Sequence, residues 1–140
     1  MKKSFIIASV VLMIAALTLP ACKYEEGPAI SLRTRKARVV NTWKIDRVFQ
    51  NNNDITAYFN GIYSQYTLYL RDDNSYTLSW SSILSENGTW DFAYNQDGII
   101  TTPDYGGDIT TWTILRLKND ELWLEVIDGG DTYEYQLITK

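Results

Sequence analysis

Apolar and polar residues alternate with a period of two along most of this chain, between Thr42 and Thr139. This period is typical of half-buried β-strands, because successive side chains of a strand point to opposite faces of the sheet. Turn sequences interrupt the pattern at short intervals, and Asp128-Gly129-Gly130-Asp131 is typical of a two-residue hairpin. The pattern predicts eight strands, at residues 42–49, 66–71, 75–80, 89–94, 99–102, 109–117, 121–127 and 132–139.

Short connections between the predicted strands favour antiparallel pairing of sequence neighbours. We therefore expect an all-β fold, an eight-stranded antiparallel up-and-down barrel, because closure removes the sheet edges. A two-sheet β-sandwich is the alternative. A short N-terminal helix is predicted from near Pro28 to Asn41, and none is predicted between the strands. Residues 50–63 and 81–87 are the longest irregular stretches, and Asp54–Phe59 is expected to form a short strand or a lid.

The N-terminus has the features of an export signal. Lys2 and Lys3 precede an apolar run at residues 5–19, which is shorter than the roughly 20 residues that cross a bilayer as a helix. The next four residues, Leu19-Pro20-Ala21-Cys22, resemble a bacterial lipobox, and Cys22 is the single cysteine of the chain. We therefore predict that residues 1–21 are a removable lipoprotein signal peptide and that Cys22 is the lipid attachment site.

The signal divides the chain into three predicted parts, of which residues 1–21 are the first. Residues 22–37 are expected to form a lipid-anchored tether with the short helix, and residues 38–140 the barrel domain. The predicted location is the outer membrane, on the periplasmic face or at the cell surface. Glu25 and Glu26 resemble a surface-export signal of some Gram-negative lipoproteins, although a solvated tether explains them equally. The basic residues between Arg33 and Arg38 are either a solvated face or a contact with anionic headgroups.

Composition excludes several classes of function. The chain carries a net charge of −4, and loss of Lys2 and Lys3 with the signal makes the mature protein more acidic, so a nucleic-acid partner is not expected. No histidine is present and Cys22 is the single cysteine, which excludes Ser-His-Asp and Cys-His catalysis and the usual zinc sites. The acid pairs Asp104/Asp108 and Asp128/Asp131 lie beside glycines, as turn residues do. We expect no enzymatic activity, no cofactor and no metal.

The predicted barrel resembles the lipocalin-like lipoproteins of Gram-negative bacteria, within the calycin group. The resemblance covers about residues 38–140. The segments that carry it are Asn41-Thr42-Trp43-Lys44-Ile45, Asn87-Gly88-Thr89-Trp90, Trp112-Thr113-Ile114, Leu122-Trp123-Leu124 and Tyr133-Glu134-Tyr135. The resemblance implies a calycin-type β-barrel with a tryptophan on its first strand after a small helical segment.

Two functional hypotheses follow from the abundance of aromatic residues. The first is a membrane-anchored lipocalin-like binding protein that holds a small apolar ligand inside the barrel, because an eight-stranded barrel can enclose one small ligand. The predicted ligand-binding residues share an aromatic side chain on a predicted strand. They are Trp43, Tyr66, Trp80, Trp90, Phe92, Tyr133 and Tyr135.

The second hypothesis is a cell-surface interaction or glycan-binding module with a packed barrel and no internal ligand. It rests on aromatic and apolar residues in loop-like stretches, where exposed rings suit contact with a glycan or an envelope protein. These residues are Tyr58, Phe59, Ile62, Tyr63 and Tyr105.

Overall fold

The computed structural model describes residues 25–26 and 32–140. The predicted signal peptide and Cys22 lie outside the described residues. The helices are α1 (Arg35–Val39) and α2 (Thr56–Ile62). The strands are β1 (Glu25–Glu26), β2 (Asn41–Gln50), β3 (Asn53–Asp54), β4 (Thr67–Leu70), β5 (Ser75–Ser79), β6 (Ser85–Phe92), β7 (Gly98–Pro103), β8 (Thr110–Leu117), β9 (Glu121–Asp128) and β10 (Asp131–Thr139). Neither described helix has the length and apolarity needed to cross a bilayer.

Eight strands form a closed antiparallel barrel. Strands β2 and β4 to β10 each pair with the next along the chain, and the last strand, β10, pairs with the first, β2. This pairing runs from Tyr133 opposite Gln50 to Thr139 opposite Trp43. The predicted eight-stranded up-and-down barrel is confirmed, and its architecture is consistent with a calycin-like fold. The sandwich alternative is wrong, because the closing pair joins what would be the two free edges of the sheet.

Two short strands extend the barrel. Strand β1 runs parallel to the end of β8, with Glu25 opposite Arg116. Strand β3 folds back on β2 through Asn51 and Asn52, whose φ angles are 50° and 66°. Positive φ at both central residues is the requirement of the tight hairpin turn that matches strand twist, and asparagine tolerates it.

One end of the barrel is closed by packed tryptophans and by α1. Trp43 and Trp90 are almost completely buried. Each indole N–H donates to a backbone carbonyl, Trp43 to Val39 at 2.9 Å and Trp90 to Arg71 at 2.9 Å. Burying these rings is favourable because their single polar group is satisfied. We call this end of the barrel the closed end.

Helix α1 is shorter than the predicted segment from Pro28 to Asn41. It begins at Arg35 because Thr34 is extended, and the Thr34 hydroxyl accepts a hydrogen bond from the Ala37 N–H at 3.1 Å, as an N-cap residue does. It ends at Val39, whose side chain is fully buried in the core. The helix therefore crosses the predicted boundary between residues 37 and 38 and packs as part of the barrel.

The prediction that no helix interrupts the strands is wrong, because α2 occupies the long stretch after β3. Its first turn is fastened to β2, since the Thr56 hydroxyl accepts a hydrogen bond from the Val48 N–H at 3.0 Å. Its inner face buries Phe59. Tertiary packing stabilises this short helix, whose sequence Thr-Ala-Tyr-Phe-Asn-Gly-Ile has weak helix propensity. Strand β6 also starts earlier than predicted, at Ser85 rather than Thr89.

We predict that the closed end dominates the stability of the barrel. Trp43→Ala should lower the free energy of unfolding by about 3–5 kcal/mol, because it leaves a cavity at a fully buried position. The control is Tyr94→Ala, at an aromatic side chain that is 99% exposed, where a change of no more than about 0.5 kcal/mol is expected. Urea unfolding followed by circular dichroism measures both. Equal losses in the two variants would contradict the prediction.

Candidate functional site

The end of the barrel opposite α1 contains a cavity of about 920 Å³. All eight barrel strands contribute residues to its wall, and α2 forms part of its rim. The inner faces of these strands are apolar because of the period-two pattern, yet their side chains do not meet at this end as they do around Trp43. We call this end the open end, and the space within it the cavity.

The cavity wall is strongly aromatic, and Tyr135 lies at the centre of its largest ring cluster. The Tyr135 ring centroid lies 5.7 Å from Phe59, 6.0 Å from Tyr66 and 5.6 Å from Trp112. The Tyr66 ring is stacked on it, and the other two meet it edge-on. These distances are those of favourable aromatic pairs. The Tyr135 side chain on β10 thus contacts one ring from α2, one from the residue before β4 and one from β8.

Two hydrogen bonds fix polar groups on the wall. The Trp112 indole N–H donates to the Thr101 hydroxyl at 3.1 Å. The Tyr76 hydroxyl donates to the Glu86 carboxylate at 2.5 Å. Gly88 makes the second contact possible, because a Cβ there would lie 2.6 Å from the Tyr76 ring. A larger residue at Gly88 would displace the ring that reaches Glu86.

Charge is distributed unevenly between the two ends of the barrel. Among the described residues, four carboxylates and no lysine or arginine line the cavity, and the four are Glu86, Asp108, Glu125 and Asp128. At the closed end, in contrast, Lys36 donates to the Asp72 carbonyl at 2.7 Å, and Arg38 donates to the Leu117 carbonyl at 3.1 Å. None of the three salt bridges found among the described residues involves a carboxylate of the cavity.

The barrel wall parts between β8 and β9 at the open end. Pairing of these strands runs from Leu117 opposite Leu122 to Thr113 opposite Glu125 and stops there. The remaining residues of the two strands, 110–112 and 126–128, line the cavity without pairing to one another. The cavity therefore reaches the surface through this gap as well as past α2.

A network of polar side chains fixes the rim at the opposite edge of β10. The Asp131 carboxylate accepts hydrogen bonds from Gln50 and Asn51, both at 2.7 Å. These two bonds hold the pKa of Asp131 below its usual value, with Asn51 the larger cause. Gly129 and Gly130 adopt positive φ between β9 and β10, so the hairpin predicted at this turn is present. The Asp131 carboxylate thus links the β2–β3 turn to the β9–β10 turn.

Four of the seven sequence-predicted ligand-binding residues line the cavity: Tyr66, Trp80, Tyr133 and Tyr135. Ligand binding by these four stays a prediction. The other three, Trp43, Trp90 and Phe92, do not line it. Trp43 and Trp90 face inward at the closed end, and Phe92 packs edge-on against Trp90 with ring centroids 5.6 Å apart. The period of two predicted that these three side chains point into the barrel, but it did not predict that they lie at its closed end.

Several cavity residues were missed or assigned to another role. Trp112 and Tyr76 lie on strands that the sequence predicted, and their inward faces follow from the period of two. Phe59 and Tyr63 were assigned to a surface loop, but they belong to α2 and its C-terminal end and line the cavity. Glu86 was missed because it lies before the predicted start of its strand, so its inward direction could not be read from the pattern.

Comparison with models of protein families and with curated proteins found no match for this chain. We therefore infer function from the cavity and its residues.

We predict that the cavity tyrosines make the barrel sensitive to alkaline pH. Burial is the main cause that raises the pKa of Tyr135 to about 12, and it also raises the pKa of Tyr66. Because the folded protein disfavours the phenolates, stability is unaffected below pH 10 and is lost as pH rises from 10 through 12. The free energy of unfolding should fall over this window, by on the order of 2 kcal/mol from Tyr135.

Chemical denaturation at a series of pH values measures this fall. Tyr135→Phe should reduce it, because the variant has no phenol to ionise at that position. Tyr105→Phe, at a side chain that is 95% exposed, is the control and should leave the fall unchanged. A profile for Tyr135→Phe that coincides with that of the parent protein would contradict the prediction.

Proposed function

We propose that this protein is a membrane-anchored binding protein that holds a small ligand with an apolar body in the open end of its barrel. The observation that carries the proposal is the cavity of about 920 Å³. Ligand sites in proteins have volumes of about 300–1,000 Å³, with mostly apolar walls and a few fixed polar groups. The aromatic cluster around Tyr135 supplies such a wall, and Thr101 and Glu86 supply polar groups.

The polar groups of the wall are suited to orienting a ligand. Among the described residues, the hydroxyls of Tyr66 and Tyr135 have no hydrogen-bond partner in the protein. A ligand with one acceptor near these hydroxyls would satisfy donors that folding leaves unused, and that is a source of specificity. We propose binding without catalysis as the role of this site.

The alternative of a surface or glycan-binding module is supported by one observation. Tyr105 is 95% exposed and precedes Gly106, whose φ is 66°. That alternative, however, assumes a packed barrel. Of its other candidate residues, Tyr58, Phe59, Ile62 and Tyr63 line the cavity. We therefore propose internal binding as the main function, with Tyr105 as the residue that a surface partner would contact.

The proposed anchor gives the barrel an orientation. Glu25, three residues after Cys22, pairs with Arg116 near the closed end, where Arg38 contacts the Leu117 carbonyl. Three residues span at most about 10 Å of extended chain. A lipidated Cys22 would therefore hold the closed end, with its basic residues, near the membrane surface, and the open end would face away. We propose the outer membrane as the location, on its periplasmic face or at the cell surface.

We predict that a neutral aromatic compound, 2-naphthol, binds in the cavity. The full chain in nanodiscs should take up 2-naphthol in equilibrium dialysis beyond the amount that empty nanodiscs take up. Thr110→Trp should reduce this excess, because Thr110 lines the cavity and an indole there would take up part of the space that the probe needs. The control Thr89→Trp adds the same ring at an exposed position of β6. Equal uptake by Thr110→Trp and the parent chain would refute binding in the cavity.

We predict that the anchor depends on Cys22. Cells grown with radiolabelled palmitate should label the parent chain and Tyr24→Phe, whereas Cys22→Ser should carry no label and leave the membrane fraction. The physical reason is that multiple acyl chains at one residue hold a protein on a bilayer stably, at about 0.8 kcal/mol per buried methylene. Label on Cys22→Ser would exclude Cys22 as the attachment site.

A further inference from the structure

Glu86 is a carboxylate on the inner face of the barrel. Along β6, Gly88 and Trp90 are buried and Glu86 is half-buried on the same face, while Ser85, Asn87 and Thr89 are exposed. The Glu86 carboxylate accepts one hydrogen bond, from Tyr76, and forms no salt bridge within the described part of the chain. Among the described residues no lysine or arginine lines the cavity beside it. A half-buried carboxylate in such surroundings attracts a positively charged partner.

The field of Glu86 extends across the cavity wall. Its negative charge contributes to raising the pKa of both Tyr66 and Tyr76, after burial in each case. Tyrosine hydroxyls are protonated at neutral pH, and that of Tyr76 donates to Glu86. A positive charge placed between these side chains would be stabilised by the same field.

Tyr66 adds a hydrogen-bond donor to the same wall. Its side chain lines the cavity, the residue is 8% exposed, and no hydrogen bond of its hydroxyl is found among the described residues. The hydroxyl is reached from the cavity and is therefore available to a group that enters it. The stacked ring of Tyr135 lies beside it, 6.0 Å away between centroids.

The aromatic rings provide a second attraction for positive charge. The faces of tryptophan and tyrosine attract cations within about 6 Å of the ring centre, most strongly when water is excluded. Trp80, Trp112, Tyr66 and Tyr135 all line the cavity that contains Glu86. Asp108, Glu125 and Asp128 add negative charge to the same wall, on which the described part of the chain places no lysine or arginine.

The arrangement suits an organic cation better than a metal ion. Within residues 32–140, no three carboxylates come close enough together to hold one ion. A calcium ion needs six to eight oxygen ligands around one point. Spread carboxylates in a wide aromatic cavity fit a larger cation whose charge is distributed over an apolar group.

We infer that the cavity selects an organic ammonium compound, a positive charge carried on an apolar or aromatic body, with Glu86 as the residue that recognises the charge. This inference rests on the proposed binding function and names the chemical class of its ligand. The aromatic cluster around Tyr135 would hold the apolar body.

The test compares two probes of the same shape and different charge. Benzyltrimethylammonium carries a quaternary nitrogen, and neopentylbenzene has a carbon atom in its place. Equilibrium dialysis with the full chain in phosphatidylcholine nanodiscs, corrected with empty nanodiscs, gives the dissociation constant of each. We expect the cation to bind about tenfold more tightly, the size of effect that a cation over desolvated rings beside a carboxylate provides. The anion phenylmethanesulfonate should not bind.

A pair of variants assigns the preference to Glu86. Glu86→Gln removes the charge but keeps an oxygen that can accept the Tyr76 hydrogen bond. It should weaken binding of benzyltrimethylammonium about tenfold and leave neopentylbenzene within about twofold, which also shows that the cavity is intact. Asp91→Asn removes an exposed carboxylate from the same strand and should leave both probes unchanged.

The possible outcomes separate this inference from the proposed function. Equal binding of the two isosteres, or a cation preference that survives Glu86→Gln, would overturn the inference while leaving a ligand cavity in place. If neither probe nor 2-naphthol binds above the level of empty nanodiscs, both the inference and the proposed function are wrong. A cation preference that Glu86→Gln abolishes and Asp91→Asn retains would support both.

Discussion

The pairing of β10 with β2 is the interaction on which the rest of this structure depends. It joins the two ends of a sheet whose other strands pair only with their sequence neighbours. It places Thr139 opposite Trp43 at one end and Tyr133 opposite Gln50 at the other. Without it, the sheet would expose two edges, and the inner faces of the strands would lose their common interior. Closure creates both the packed core and the cavity.

Aromatic residues line both ends of the barrel, but they pack a core at the closed end and line a cavity at the open end. At the closed end, Trp43 and Trp90 are buried with their indole N–H groups bonded to backbone carbonyls, so the rings contribute mainly to stability. At the open end, the rings around Tyr135 face an unfilled space, and the hydroxyl of Tyr66 has no partner in the described chain. A wide cavity lined by aromatic rings with available polar groups is a feature of binding sites.

The separation of charge follows the same axis. Basic side chains bind carbonyls and carboxylates near α1, whereas within residues 32–140 no lysine or arginine lines the cavity with its four carboxylates. With the proposed anchor at Cys22, the basic end would lie near the lipid headgroups and the acidic cavity would be accessible from the aqueous side. A positively charged ligand would then approach an end of opposite, negative charge, and this attraction favours rapid association.

Much of the fold could be predicted from the sequence, because each step needed only local information. The period of two predicted which residues of β5 and β10 face inward, and turn residues such as Gly129 and Gly130 separated the strands. In β2 the alternation changes phase, because a bulge in its pairing with β10 leaves Asp46 and Arg47 both exposed and turns Val48 into the core. Helix α2 could not be predicted, since its residues favour a helix only when Phe59 is buried against the barrel. Glu86 was missed for a related reason, because the start of β6 depends on its pairing with β5.

For the candidate site, the sequence predicted which face of each strand points inward, but it did not predict how deep along the barrel each residue lies. Alternation by itself determined that Trp43, Trp90, Tyr66 and Tyr135 all point into the barrel, and it predicted the number of strands and their order. The tertiary structure decided that the first two lie in the packed end and the last two in the cavity. The physical reason is that strand period specifies a face, whereas depth along the barrel depends on strand register and tilt. Those are set by pairing between residues far apart in the chain.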